Sequence, residues 1–222
     1  TSDSRGSGKL VPFAKKFPEQ IVEVGIAEQS LVGVSAGMAS TGKKVFAVSP
    51  GSFLCARGLE QIKNDVAYSD IPVVFVGISS GVSYGALGST HHSLHDLAVL
   101  RAIHNLIVVV PADSYETEQA VLLASAVNKP VYIRFGKKPM PLLPRVEKEF
   151  AFGKASVITE GSDITFIATG EAVAPAYEAS NILADNGLSA GVVSMHTIKP
   201  LDTDTLLAAA QKSKALITVE EH

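Results

Sequence analysis

Three stretches carry side chains able to do chemistry, and each lies where a strand is expected to end. The first is Gly25-Ile26-Ala27-Glu28-Gln29, where a single carboxylate opens a helix running through Ser40 with an apolar face of Leu31, Val34 and Met38. An acid in a helix's first turn is favourable with the dipole, which is a sufficient structural reason for Glu28. The second is Ser49-Pro50-Gly51-Ser52-Phe53, a turn that exposes one aromatic ring unless Phe53 belongs to the core. The third runs from Ser79 to Asp96 and carries His91, His92 and His95. Loops of such length are usually functional or mobile. Histidine titrates near neutral pH, so these side chains suit proton transfer or hydrogen bonding. Adjacent histidines rarely ligate one ion together, and Asp96 is the loop's lone carboxylate, so no metal ligand set is assigned.

Familiar motifs fit poorly. There is no Gly-x-Gly-x-x-Gly, which removes the dinucleotide-binding reading. Gly37 to Lys43 has P-loop spacing, but Lys44 stands where Ser or Thr is required, and the segment leads from helix into strand. Gly-x-Ser-x-Gly occurs around Ser35 and Ser79. Ser35 falls inside the expected helix. Ser79 ends a strand, but a glycine-rich loop follows instead of the helix of a nucleophile elbow.

These loops need a scaffold, and the pattern supplies one. Apolar, β-branched runs at Ile21–Val24, Val45–Val48, Pro72–Ile78, Leu106–Val110, Val131–Phe135, Ile164–Ala168, Ala190–Ser194 and Ala215–Val219 read as strands. Several are apolar at nearly every position, as strands buried on both faces must be. Helical segments lie between them. Asp113 and Glu116 form a capping box before Ala120, Leu123, Ala124 and Val127. Val173, Ala176, Tyr177, Ser180, Leu183 and Ala184 make a second stripe, which Asn186-Gly187 can terminate. Pro200-Leu201-Asp202 opens a third helix. The fold class is therefore α/β, with right-handed crossovers and parallel sheets. Pro139, Pro141 and Pro144 fit neither a helix interior nor a central strand. Residues 137–152 read as a linker between a five-strand domain at 1–136 and a smaller α/β domain at 153–222. Both ends read as incomplete: residues 1–8 look like a loop after a preceding strand, and residues 220–222 stop before a further loop and helix.

Composition narrows the function classes. The 222 residues include 19 basic and 22 acidic side chains, for a net charge of −3. This argues against a general nucleic-acid binder or a polybasic membrane clamp. No apolar run reaches the roughly 20 residues that span a bilayer. One cysteine, Cys55, excludes an intrachain disulfide and fits a reducing, cytoplasmic setting.

Taken in order, four stretches resemble the pyrimidine-binding domain of transketolases. They are Val24-Gly-Ile-Ala-Glu28-Gln29, Ser52-Phe53-x-x-x-Arg57-x-x-Glu60-Gln61-Ile62, Gly88-x-Thr90-His91-x-Ser93-x-x-Asp96-Leu97-x-x-x-Arg101, and Val110-Pro111-Ala112-Asp113-x-x-Glu116. Order and spacing match the split transketolases, whose catalytic unit is divided between two polypeptides. Residues 154–222 are similar to the start of their carboxyl-terminal domain. The resemblance implies thiamine diphosphate. It makes Glu28 the carboxylate that hydrogen-bonds N1′ of the aminopyrimidine, and a carboxyl buried beside an apolar helix can hold a proton to share with a ring nitrogen. It makes Phe53 the ring stacked on the pyrimidine and His91 the histidine facing the reactive side and the substrate. Lys137 matches a position usually held by a phosphate-binding arginine, where lysine acts as a point charge without the bidentate fork. Ser7 matches a substrate-phosphate serine.

The family holds the diphosphate through Mg²⁺ on a Gly-Asp-Gly…Asn motif, and this sequence contains no Gly-Asp-Gly. The resemblance therefore implies an N-terminal partner subunit that carries the Mg²⁺ site, in a heterotetramer. Leu87 replaces the usual acidic residue before Gly88, and Ser79 replaces a histidine near the loop's start. A leucine leaves a sugar hydroxyl unpaired at a cost of roughly 1–3 kcal/mol, which points to a non-standard donor sugar. Three other readings stand beside this one: a deoxyxylulose-phosphate synthase-like enzyme, a 2-oxoacid dehydrogenase β-like subunit, and a non-catalytic paralogue that only binds a partner.

Overall fold

The computed structural model describes residues 1–79, 81–146 and 149–221. Residues 1–108 with 124–137 form one compact unit, and residues 109–123 with those from Lys138 onward form a second.

The first unit contains α1 (Val11–Lys16), α2 (Glu28–Ser40), β1 (Val45–Pro50), α3 (Gly51–Gln61), β2 (Val73–Ile78), α4 (Asp96–Ala102), β3 (Ile107–Val109) and, after α5 (Ser114–Ala126), β4 (Val131–Phe135). Helix α3 runs on into a π-helical turn at Ile62–Tyr68. The strands stand in the order β1-β2-β4-β3, with β1, β2 and β4 parallel. Val45 pairs with Val73, and Val74 with Val131. Every residue of β2 is buried, as a strand covered on both faces requires. Gly77 is indispensable there: a Cβ on it would meet the Tyr132 phenol at 2.1 Å.

Two expectations need correction in this unit. Ile21–Val24 forms no strand, so the unit has four strands among its described residues instead of five. A β-branched run becomes a strand only when a neighbour supplies a ladder, and among the described residues the only ladder-like bonds of this one are the two to Thr1, through the Val22 carbonyl and the Val24 amide. The buried face of α2 is Leu31, Val32, Ser35, Ala36 and Ala39, while Val34 is 42% exposed. The expected stripe has the right period but is rotated by about one residue, because small residues fill the close contact with α3.

The second unit carries β5 (Ser156–Thr159), β6 (Ile164–Ala168), α6 (Val173–Asp185), β7 (Ala190–Ser194), β8 (Thr197–Lys199), α7 (Thr203–Lys212) and β9 (Ala215–Val219). Its four-stranded sheet has the order β5-β7-β6-β9, with β5 antiparallel and the others parallel. Strands β5 and β8 are too short to show a period in sequence. Phe166, Val173, Ala176 and Val192 form the core, with Tyr177 and Leu183 packed against it. Ala184, expected on that stripe, is exposed. Asn186 ends α6, and Gly187 follows with φ +78°. Asp202 caps α7 by accepting the Thr205 amide at 3.1 Å. The capping box before α5 forms in altered guise. Asp113 accepts the Glu116 amide at 3.0 Å, but the Glu116 carboxylate reaches past the cap to the Ala112 amide at 2.8 Å. Arg145 pairs with Asp113 at 2.8 Å and with Glu116 at 3.3 Å. Burial nonetheless raises the Glu116 carboxyl above its ordinary range.

Candidate active site

The site grows from the carboxyl ends of β1 and β2. Strand β1 ends at Pro50 and α3 begins at once with Gly51, so the stretch at 49–53 is a strand-to-helix junction. Gly51 makes the junction possible: a Cβ there would press on Ser93 Oγ at 3.2 Å and Tyr132 Oη at 3.3 Å. Phe53 follows in the first turn of α3, half-buried.

Glu28 opens α2 as expected, and its side chain is 2% exposed. Its Oε2 accepts a hydrogen bond from Arg57 Nη1 at 2.9 Å. Ser2 Oγ lies 3.5 Å from Oε1 and donates a shorter bond to Ser49 Oγ at 2.8 Å. The approach of α2 and α3 depends on Gly58, where a Cβ would come within 3.0 Å of Val32. Arg57 then lies with its guanidinium 4.8 Å from the Phe53 ring centroid. Phe53 and Arg57 are i and i+4 on one helix, so the charge that pairs with Glu28 also packs on the neighbouring aromatic.

The long loop leaves β2 through Ser79, whose φ is +59° and which is 2% exposed. A serine so buried offers no hydroxyl to a substrate. The Ser93 amide closes the loop by donating to the Gly81 carbonyl at 2.8 Å. Below it, Asp96 opens α4 and is buried against Tyr132 Oη at 2.7 Å and Arg134 Nε at 3.2 Å. Burial first, and the Asp96 charge second, push the Tyr132 hydroxyl well above its ordinary value. The same two causes push the Cys55 thiol up to about 12, which makes it inert.

Within the loop the three histidines diverge. The His91 ring is 5.1 Å from Phe53 and 5.3 Å from Tyr84, edge-on to both. Its Nδ1 is 3.1 Å from Thr90 Oγ1. His92 donates from Nε2 to the Gly85 carbonyl at 3.1 Å, and His95 is exposed at the N-cap of α4. Among the described residues, no group of three or more His, Cys, Asp or Glu side chains could hold a metal ion. Lys137, just past β4, extends its ammonium to 4.1 Å from the Tyr84 ring centroid.

Four of the five expected site residues thus lie on one continuous line of contacts: Glu28, Arg57, Phe53, His91, Tyr84, Lys137. Ser7 does not join it, and stands exposed in the turn just before Gly8. Sequence reasoning gives no functional role to two members of the line. Arg57 is legible through its i+4 spacing from Phe53. Tyr84 is marked only by being the lone aromatic in a glycine-rich loop.

Comparison with known proteins identifies the family. Residues 1–141 match the family described as transketolase, pyrimidine binding domain, and residues 153–222 match transketolase, C-terminal domain. The chain is 48% identical to one of the subunits of the apulose-4-phosphate transketolase of Phocaeicola vulgatus, over 100% of its own length and 72% of that protein's. It is 36% identical to a 6-deoxy-6-sulfo-D-fructose transketolase subunit of Clostridium sp. (strain MSTE9), over 99% of this chain and 68% of that protein. A solved split-gene transketolase, an inactive β4 tetramer, superposes with a TM-score of 0.89 at 36% identity, covering 100% of this chain and 71% of the other. No described helix is long and apolar enough to cross a membrane. The protein belongs to the transketolase family, as the C-terminal type of subunit of a split enzyme.

Proposed function

We propose that this chain supplies the pyrimidine side of an active site shared between two polypeptides, and that the complex moves a two-carbon ketol unit from a non-standard, anionic ketose to an aldose. The observation that carries this reading is the line of contacts from Glu28 to Lys137. It joins a buried carboxylate, a half-exposed aromatic face, an imidazole and a cation on one unit.

The family's dependence on thiamine diphosphate is met by residues that fit it. Glu28 is a buried acid whose Oε1, among the described residues, has just the long 3.5 Å contact from Ser2. Ser52 Oγ, beside Phe53, is buried with no hydrogen-bond partner among the described residues. When bound, thiamine diphosphate supplies the nucleophilic carbon that takes up and passes on the two-carbon unit. Glu28 would hold a proton at N1′ of the aminopyrimidine, with Arg57 fixing its orientation. The Phe53 ring would offer a stacking face. His91, held by Thr90 and flanked by two aromatic rings, would donate to or accept from the substrate oxygens. Lys137 would take the substrate's anionic group, with Ser7 as a second contact. The Mg²⁺ and diphosphate ligands would come from an N-terminal partner subunit carrying the Gly-Asp-Gly motif that this sequence lacks. A cytoplasmic heterotetramer goes with this reading.

Leu87 supports an unusual donor. It is 55% exposed in the short turn that follows Tyr84, where it can accept no hydrogen bond from a sugar hydroxyl. The relatives named for apulose 4-phosphate and for 6-deoxy-6-sulfofructose likewise carry the names of uncommon ketoses. The test is to reconstitute the chain with its companion and assay ketol transfer from these two sugars and from ordinary ketose phosphates. Transfer from an uncommon ketose is expected, and Leu87→Asp should shift preference toward the ordinary ones. A reconstituted complex with no transfer from any donor would favour the non-catalytic reading.

A further inference from the structure

We propose that Tyr84 is a positioning residue that fixes the Lys137 ammonium as the anion-selective element of the site. The inference rests on the reading of Lys137 given above. A lysine presents a compact charge on a flexible four-carbon stem, with none of the planar fork that pre-organises arginine. Lys137 is itself exposed, so its stem would sample many rotamers if nothing held it. The Tyr84 ring lies under the ammonium at 4.1 Å, within the range of a cation–π contact.

The ring is fit for this role because it is buried. Tyr84 is 9% exposed, at the start of the short turn Gly85–Leu87. That turn is tied down by the bond from His92 to the Gly85 carbonyl. The ring also meets the His91 imidazole, edge-on at 5.3 Å. One phenol therefore touches both the imidazole that faces the reaction and the cation that takes the substrate's anion. Their separation can be no greater than the sum of those two contact distances. By fixing both, Tyr84 sets the distance between the reacting end of a substrate and its charged end, and so selects for chain length as well as charge.

Two measurements test this, one of which needs no catalysis. In the free chain, acetic anhydride should acylate Lys137 about threefold to tenfold faster in Tyr84→Leu than in wild type, because the ring holds the side chain and covers one side of Nζ. Tyr84→Phe keeps the ring and should leave the rate unchanged. An equal rate in wild type and Tyr84→Leu would overturn the inference whatever the enzyme does. In the reconstituted complex, the preference in kcat/KM for a phosphorylated donor over one without an anionic group should fall about threefold to tenfold in Tyr84→Leu and be kept in Tyr84→Phe. This ratio cancels any loss that arises through His91 or from partial misfolding, since both donors share it. In a Lys137→Met background, Tyr84→Leu should change the ratio no further. If Lys137→Met leaves the preference intact, the proposed anion site falls and this inference with it. If Lys137→Met lowers it and Tyr84→Leu does not, the inference alone is overturned.

Discussion

Gly77→Ala should be among the most damaging small substitutions in the first unit. An added Cβ would sit 2.1 Å from Tyr132 Oη, 2.7 Å from Cζ and 2.8 Å from Cε2, all closer than any real contact. The phenol cannot swing aside freely. Tyr132 is fully buried, and its hydroxyl donates to Asp96 Oδ2 at 2.7 Å. Overpacking a rigid core costs about 1–3 kcal/mol. Pulling the hydroxyl off a buried carboxylate costs about 1.5–3 kcal/mol more. The expected loss is therefore roughly 2.5–6 kcal/mol, or about 5–24 °C in Tm at about 2–4 °C per kcal/mol for a chain of this size. Urea and thermal melts followed by circular dichroism measure it. Tyr132→Leu removes the three clashing atoms and has its own cost in lost packing. In the double variant the two costs should fall short of their sum by at least about 1 kcal/mol, the signature of residues in contact. A Gly77→Ala protein that melts within about 1 °C of wild type, or additive losses in the double variant, would refute the argument. Because Asp96 anchors the end of the His91 loop, the same substitution should also lower turnover.

Glu28→Gln should abolish ketol transfer in the two-chain complex while the melting point moves by a few degrees at most, since the amide still accepts from half-exposed Arg57; retained activity would reduce Glu28 to a helix-start residue. His91→Ala should lower kcat by roughly 10²-fold or more, with His92→Ala and His95→Ala each costing about tenfold or less. Equal losses for all three would contradict the divergent geometry of the loop. His196 predicts a pH effect in the second unit: burial first and the Arg145 charge second lower its pKa to about 4. The unfolded chain therefore binds one more proton than the folded one as pH falls from about 6.5 to 4, and the fold loses up to about 3 kcal/mol over that window. Glu116, with its raised carboxyl, acts in the opposite sense, so the readout is the difference in pH slope between wild type and His196→Gln. Identical slopes would show that His196 titrates normally.

The elements, and the order of the chemistry along the chain, are legible in one dimension. The β-branched runs at Val73–Ile78 and Val131–Phe135 read as strands of a parallel sheet, and Glu28 opens its helix as the local pattern predicts. Capping chemistry at Asp113 and Asp202 is readable because a cap is decided within four residues. Whatever depends on who the neighbours are is settled by the assembled fold. Ile21–Val24 has strand chemistry but lacks a strand beside it, and propensity cannot supply one. The buried face of α2 is turned by close packing against α3 at Gly58, a contact between residues far apart in sequence. The partnership of Glu28 with Arg57 spans 29 positions, and the meeting of Lys137 with Tyr84 spans the whole of α4, β3, α5 and β4. Contacts of that range are set by sheet order and loop closure, which no local periodicity encodes. The residue types that can do the chemistry are therefore visible along the chain, whereas the line that joins them exists only in three dimensions.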